Sequence, residues 1–430
     1  MTNAELQDAD TALSRVRRNG FAGAIGNVME WYDFAAYAFI APFISQLFFP
    51  SDDDFTSLLA TYGAFAAGYL ARPLGAVAFG YIGDKMGRKQ VLVLSVWMMG
   101  IASVLIGFLP DVSTIGPSAA LLLIGLRVVQ GFSVGGEYTG STTFVIEHAP
   151  AEKRAFYCSW ILCGGVGGFL LGSAVTTLMT NTLDQAAIEN WAWRLPFLSG
   201  ALITVVAIYL RRNLEEPPAP TYEEEWDRSP IVEVFVNHWR DLLRVMGLVL
   251  AVNVTFYMMY VYAISYLTDR MHVSSRNAMD INTICMAVLT FLPLLTSLVS
   301  DRIGRKPLLL TGTISLLFLA WPFFWLMHHQ NLMVIFFGQL GFALVLSWIN
   351  GANPATMAEI LPRRVRVSVL SIGYNLCLSI FGGTTPFVAA YLVERTGDDF
   401  TPVYYLMGLT VLSLITVFTI PETHGKPLRD

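Results

Sequence analysis

Two acids, Glu30 and Asp33, stand three residues apart in the string GNVMEWYDF, inside the apolar run 20–49. An ionised side chain at the centre of a bilayer costs several kcal/mol, so acids kept there usually face a cavity and serve a function. Three residues apart on a helix, the two lie on neighbouring positions of one face. Crowding and burial both favour the protonated form of a carboxyl, which suits a group that takes up and releases a proton near neutral pH. The other role open to them is to pair with arginine and hold helices together. Arg72 and Arg127 fall inside apolar runs of their own, and a guanidinium offers a two-pronged fork to a carboxylate, whether a substrate's or that of Glu30, Asp33 or Glu137. Glu137 follows Arg127 by ten residues in a glycine-dense stretch, a second candidate for proton or substrate handling. Asn253, Tyr257 and Tyr260 recur at helical spacing, and Trp31, Tyr32, Phe34, Trp348 and Tyr374 add aromatic faces of the kind that attract a quaternary ammonium group. Aromatics make up 13% of the chain, however, so most of them must simply pack.

The elements that hold these residues follow from composition. Of 430 residues, 54% are hydrophobic and 14% charged, too apolar a balance for a water-soluble globule of this size. A membrane-crossing helix needs about 20 mostly apolar residues. That template fits 20–49, 57–82, 91–109, 118–146, 155–179 and 194–211, and again 242–267, 279–300, 308–327, 331–350, 366–393 and 402–420. The expectation is an all-α membrane protein of twelve transmembrane helices, since runs this long exclude the short alternating strands of a barrel. With the amino terminus in the cytoplasm, Arg15, Arg17, Arg18, Lys85, Arg88, Lys89, Lys153 and Arg154 all lie inside, while Arg270, Arg276 and Arg395 lie outside beside the acidic run Asp52 to Asp54. Both termini are then cytoplasmic, and the first apolar run exceeds a signal-peptide core and stays as a membrane anchor. Cys158, Cys163, Cys285 and Cys377 fall in apolar stretches without metal-ligand neighbours and read as packing residues.

The chain also repeats itself. GYIGDKMGRK at 80–89 returns as SDRIGRKP at 300–307, and EHAPAEKRAF at 147–156 as EILPRRVRVS at 359–368. The expected organisation is a cytoplasmic segment 1–19, a six-helix half 20–211, a Glu- and Pro-rich linker 212–241, a second half 242–420 and a short tail 421–430. Neither basic loop carries the flanking strand and Gly-Lys-Ser/Thr ending of a phosphate-binding loop.

Two six-helix halves in parallel repeat, each with an acidic residue, glycine and paired basic residues after its second helix, resemble the major facilitator superfamily. Within it, GNVMEWYDF, ARPLG at 71–75, GFSVGGEYTG at 131–140 and WAWRLPF at 191–197 are similar to the metabolite:proton symporters. VNVTFYMMYVY at 252–262 and PVYYLM at 402–407 resemble most the bacterial proline/glycine betaine symporters. The resemblance implies a multi-pass carrier of the bacterial cytoplasmic membrane that imports a small zwitterion with protons as the coupling ion. A mono- or dicarboxylate of the 2-oxoglutarate, citrate or shikimate type is the rival cargo. It also implies a cytoplasmic latch in which Asp84 caps a neighbouring helix and Arg88 pairs with an acid such as Glu147, with Asp301 and Arg305 as the second-half counterparts. No cofactor, nucleic acid or catalytic constellation is implied, so no enzymatic role is expected, and a single chain in lipid is the expected working unit. Ending a few residues after its last apolar run, the chain shows no heptad extension of the kind some osmosensing relatives carry.

Overall fold

The computed structural model describes the backbone of residues 3–212 and 230–429 apart from 87, 135 and 136, and the side chains of 24, 25, 27–79, 93–134, 138–206 and 232–429. The described residues form a helical bundle. Its long helical segments are α1 (Asn3–Phe48), α2 (Asp54–Met86), α3 (Arg88–Gly107), α4 (Ser118–His148, in two pieces), α5 (Arg154–Thr182) and α6 (Leu195–Arg212). The second set comprises α7 (Trp239–Arg270), α8 (Ser275–Ile303), α9 (Arg305–Met327), α10 (Leu332–Glu359), α11 (Arg363–Thr396) and α12 (Thr401–Thr419). A short helix, Pro230–Asn237, precedes α7. Eight of these, α4, α5 and α7 to α12, are long and apolar enough to cross a membrane by length and composition among the described residues.

The helices overrun the apolar stretches marked from sequence. Hydropathy stops at the first charged residues, whereas the backbone keeps its hydrogen-bond ladder until a cap or a breaker ends it. Asn331 caps α10 by accepting from Met333 N at 2.8 Å, and Ser274 caps α8 through Asn277 N. Gly304, at φ 107°, makes the sharp turn from α8 to α9 that an L side chain would resist.

Among the described residues three stretches widen to π-helix: Met258–Tyr262 and Tyr266–Arg270 in α7, and Leu378–Gly382 in α11. Such turns recur at functional sites, and here the first and third lie close to Tyr257. Gly382 approaches that ring closely.

Small residues let the helices touch. A Cβ on Gly131 of α4 would lie 1.6 Å from the Gly68 carbonyl oxygen of α2, and one on Gly75 would lie 1.8 Å from the Phe132 oxygen. This seam carries Arg72 and Arg127 toward α1. Gly131→Ala is therefore expected to separate α2 from α4 and to cost roughly 1–3 kcal/mol, read as a lower melting temperature of the purified protein in detergent. An unchanged melting temperature would mean that the seam yields freely.

The two sets of six helices meet along α5 and α8 and along α2, α7 and α11. At the end carrying the α7–α8 turn, Tyr62 Oη and Ser265 Oγ are 2.6 Å apart, Asn181 donates to Asp280 at 2.8 Å, and Arg276 donates to the Asn181 carbonyl. A cleft of about 460 Å³ opens there between the halves, lined by Phe43, Thr180, Glu189, Asp269 and Arg276 among others. At the α8–α9 end, Asp301 of the second half accepts from Ala155 N at 3.2 Å and Phe156 N at 2.9 Å, capping α5 of the first half. Arg366 Nη1 binds Glu147 Oε1 at 2.8 Å across the same seam.

Candidate functional site

Glu30 and Asp33 are both buried, but their side chains go to different places. Glu30 Oε1 accepts from Arg72 Nη2 at 2.9 Å, and Arg72 Nε reaches Asn375 Oδ1 at 3.3 Å. Arg72 is 2% exposed, so a cation brought to the interface of the halves is almost wholly cut off from water. Burial of this kind is tolerated when the charge is paired and hydrogen-bonded. Its Nη1 nevertheless has no protein partner. The guanidinium also lies 4.9 Å from the Trp31 ring centroid, 5.4 Å from Phe34 and 5.6 Å from Tyr69.

Asp33 faces into the first half. Its Oδ1 has no hydrogen-bond partner and lies where a Cβ on Gly200 of α6 would come within 2.8 Å. Ser103 of α3 and Arg127 of α4 face its carboxylate, although no arginine or lysine among the described residues comes within 4.0 Å of it. Arg127 donates to Gln130 Oε1 at 2.6 Å, and its Nε and Nη2 find no acceptor. Three rings surround it instead, with centroids at 4.4 Å for Tyr37, 4.8 Å for Phe34 and 5.5 Å for Phe65. Buried polar atoms left unpaired are uncommon in folded proteins and mark places where something else binds or moves.

Between the halves, Tyr69 Oη and Tyr257 Oη lie 2.7 Å apart, and Ser379 Oγ donates to the Tyr69 carbonyl at 2.6 Å. Tyr257 belongs to an aromatic group with Phe169, at 6.1 Å, and Phe256, at 5.3 Å between centroids. Trp31 packs on Phe169 at 5.8 Å, and its Nε1 is buried without an acceptor. Asn253 Nδ2 and the Tyr260 hydroxyl are likewise buried and unpartnered. Tyr374 stacks on Tyr138 at 4.7 Å across the seam, on the side toward α4. Trp31, Phe34, Arg72, Tyr257 and Tyr374 thus lie at or beside one interface.

Others expected there do not. Tyr32 turns to α6, donating to Pro196 O at 3.0 Å and meeting Ser199 Oγ at 2.6 Å, so it packs the first half. Trp348 donates to Thr311 Oγ1 at 2.9 Å on the partly exposed flank of α9 and α10, because its phase on α10 turns it from the interface. Glu137 opens the second piece of α4, and its side chain, like those of Asp84 and Arg88, lies outside the described residues. Among the described side chains Glu147 pairs with Arg366, and the expected pairing with Arg88 lies outside the described residues. Residues not singled out from sequence include Tyr69, Asn375, Ser103 and Gln130, whose types are too common in helices to stand out.

The α8–α9 end carries its own ion network. Arg305 binds Asp301 at 2.7 Å and Glu359 at 3.3 Å, and Thr423 Oγ1 donates to Glu359 at 2.6 Å. In the segment after α12, partial burial pushes the Glu422 carboxyl up, but the backbone N–H groups of His424, Arg305, Lys306 and Thr423 together outweigh it and hold the group below its usual range. A depressed native pKa adds stability that is complete above the unfolded value of 4.5 and is lost as pH falls through the native value. Glu422→Gln is thus expected to lower stability near neutrality and to flatten the acid limb of the pH–stability profile, so that the gap to wild type closes as pH falls below that value. Parallel profiles for variant and wild type would refute the cap.

Two helical halves closing on buried, incompletely paired charges define a secondary carrier. The chain matches the Major Facilitator Superfamily over residues 23–373 and 246–430, and it belongs to that family. It is 38% identical to the glycine betaine/proline/ectoine/pipecolic acid transporter of Dickeya dadantii, covering 96% of this chain and 85% of that protein. It is 37% identical, with the same coverage, to the proline/betaine transporter of Escherichia coli K12. Among solved structures it superposes on a D-xylose–proton symporter with a TM-score of 0.75 at 18% identity, over 95% of this chain and 99% of that one, which fixes the fold. The chain is a transporter and not an enzyme, and a multi-pass protein of the bacterial inner membrane.

Proposed function

We propose that the chain imports a small zwitterion such as proline or glycine betaine together with a proton. Twelve helices cross the bilayer with both termini in the cytoplasm, and the two halves of a single chain rock about the interface that holds Arg72. The carrying observation is the Glu30–Arg72–Asn375 contact, which joins a carboxylate-binding fork to both halves beside an aromatic group. The unpartnered Nη1 of Arg72 receives the substrate carboxylate. Trp31, Phe256 and Tyr257 offer ring faces to its ammonium. Relatives that carry proline and betaine in their names support this cargo.

Asp33 carries the proton in this scheme. It is buried with one oxygen unpartnered, so it changes charge without breaking an ion pair. Glu30 is tied to Arg72 and holds the fork in place. Protons are the coupling ion, and no cofactor takes part.

The rival cargo, an anionic mono- or dicarboxylate, draws on Arg127, a second buried cation with two unpartnered nitrogens. Competition against labelled substrate on the purified protein separates the two. Proline and glycine betaine are expected to compete, whereas 2-oxoglutarate, citrate and shikimate are not. Competition by the carboxylates alone would overturn the zwitterion assignment.

A further inference from the structure

Gln130 of α4 and Ser103 of α3 are both 0% exposed, as is Arg127. Gln130 Oε1 accepts from Arg127 Nη1 at 2.6 Å, and its Nε2 donates to Ser103 Oγ at 2.7 Å. This pairing fixes the amide's orientation, because the flipped amide would aim its NH2 at the guanidinium. With its oxygen receiving from Gln130, the Ser103 hydroxyl keeps its hydrogen for the Asp33 carboxylate that it faces. Every donor in this series points one way, from the guanidinium toward the carboxylate. Hydrogen bonds aligned in such a chain polarise one another in a low-dielectric interior.

We infer that Gln130 and Ser103 are positioning residues that couple Arg127 to Asp33 and so set the pH range over which the carrier takes up its proton. The inference rests on the reading of Asp33 as the proton carrier. Arg127 is the charged group facing Asp33. Among the described residues the other titratable groups nearby are hydroxyls. Tyr32 on α1 is turned to Pro196 and Ser199, Tyr37 covers Arg127, and Tyr69 of α2 and Tyr257 of α7 face Arg127 from the other side. From α6 the neighbour is Gly200, which brings no charge. The chain through Gln130 is thus the hydrogen-bonded route by which the arginine favours the ionised acid.

Removing this route favours the neutral acid, so protons bind at higher pH. Gln130→Glu gives Arg127 a carboxylate of its own and turns the Ser103 hydroxyl away from Asp33. Ser103→Ala removes the last donor, and Ser103→Thr retains it. The test is initial uptake of labelled proline into proteoliposomes as a function of external pH, with counterflow exchange as the measure of intact protein and Asp33→Asn as reference. Gln130→Glu and Ser103→Ala are expected to move the half-maximal pH up by about one unit, the scale of one charge-assisted hydrogen bond, while Ser103→Thr keeps the wild-type profile. If Asp33→Asn uncouples uptake but both substituted profiles match wild type, the positioning role is wrong. If Asp33→Asn leaves concentrative uptake intact, the reading of Asp33 fails instead. Loss of counterflow in Ser103→Ala and Gln130→Glu together, with Ser103→Thr also inactive, would assign these side chains to folding alone and overturn the inference.

Discussion

Asp33→Asn is expected to keep substrate exchange across proteoliposome membranes within a few-fold of wild type, while net uptake under an inward proton gradient settles at an inside-to-outside ratio of about 1, since an uncoupled carrier only equilibrates its cargo. The amide is isosteric with the protonated acid, so the helices can still rock. What it lacks is the ability to release the proton. Nothing in the packing opposes the change, because Asp33 makes no ion pair within 4.0 Å among the described residues and its Oδ1 is already unpartnered. Equal loss of exchange and uptake would instead give Asp33 a structural or substrate-binding role.

Arg72→Ala is expected to abolish both activities. It leaves Glu30 buried without the guanidinium, and breaking a buried pair from one side costs about 3–5 kcal/mol, enough to lower the yield of folded protein. The double variant Arg72→Ala with Glu30→Gln removes the buried carboxylate charge as well. It is expected to recover yield and melting temperature but not transport, which separates the arginine's contribution to folding from its contact with substrate. Arg72→Lys keeps the charge and loses the planar fork, and its apparent affinity for substrate is expected to fall roughly 10- to 100-fold, the scale of one or two charge-assisted hydrogen bonds. Transport by the double variant at wild-type rate would remove Arg72 from the substrate site.

The helical fold was plain from the apolar runs because a chain in lipid must satisfy its backbone within each segment. The repeat of GDKMGRK as SDRIGRK likewise pointed to an organisation in two halves. The candidate site was legible in residue type but not in direction. Glu30 and Asp33, three residues apart, differ by about 60° around a helix, and that angle sends one to Arg72 and the other toward Ser103. Tyr32 and Trp348 turn away from the interface for the same reason, their phase around the helix. Asn375 and Tyr69 were hidden because their importance comes from contacts more than a hundred residues away in sequence, with Arg72 and Tyr257. At the α8–α9 end, Glu147 takes Arg366 of α11 as a partner from 219 residues away in sequence, a contact that only the meeting of the two sets of helices creates.

The most direct test of proton-coupled zwitterion import is to add substrate to proteoliposomes that hold a pH-sensitive dye, with no gradient imposed. Addition of proline or glycine betaine is expected to acidify the lumen, Asp33→Asn to abolish that signal, and citrate or 2-oxoglutarate to give none. Substrate entry with an unchanged lumenal pH, or acidification driven only by the carboxylates, would contradict the account.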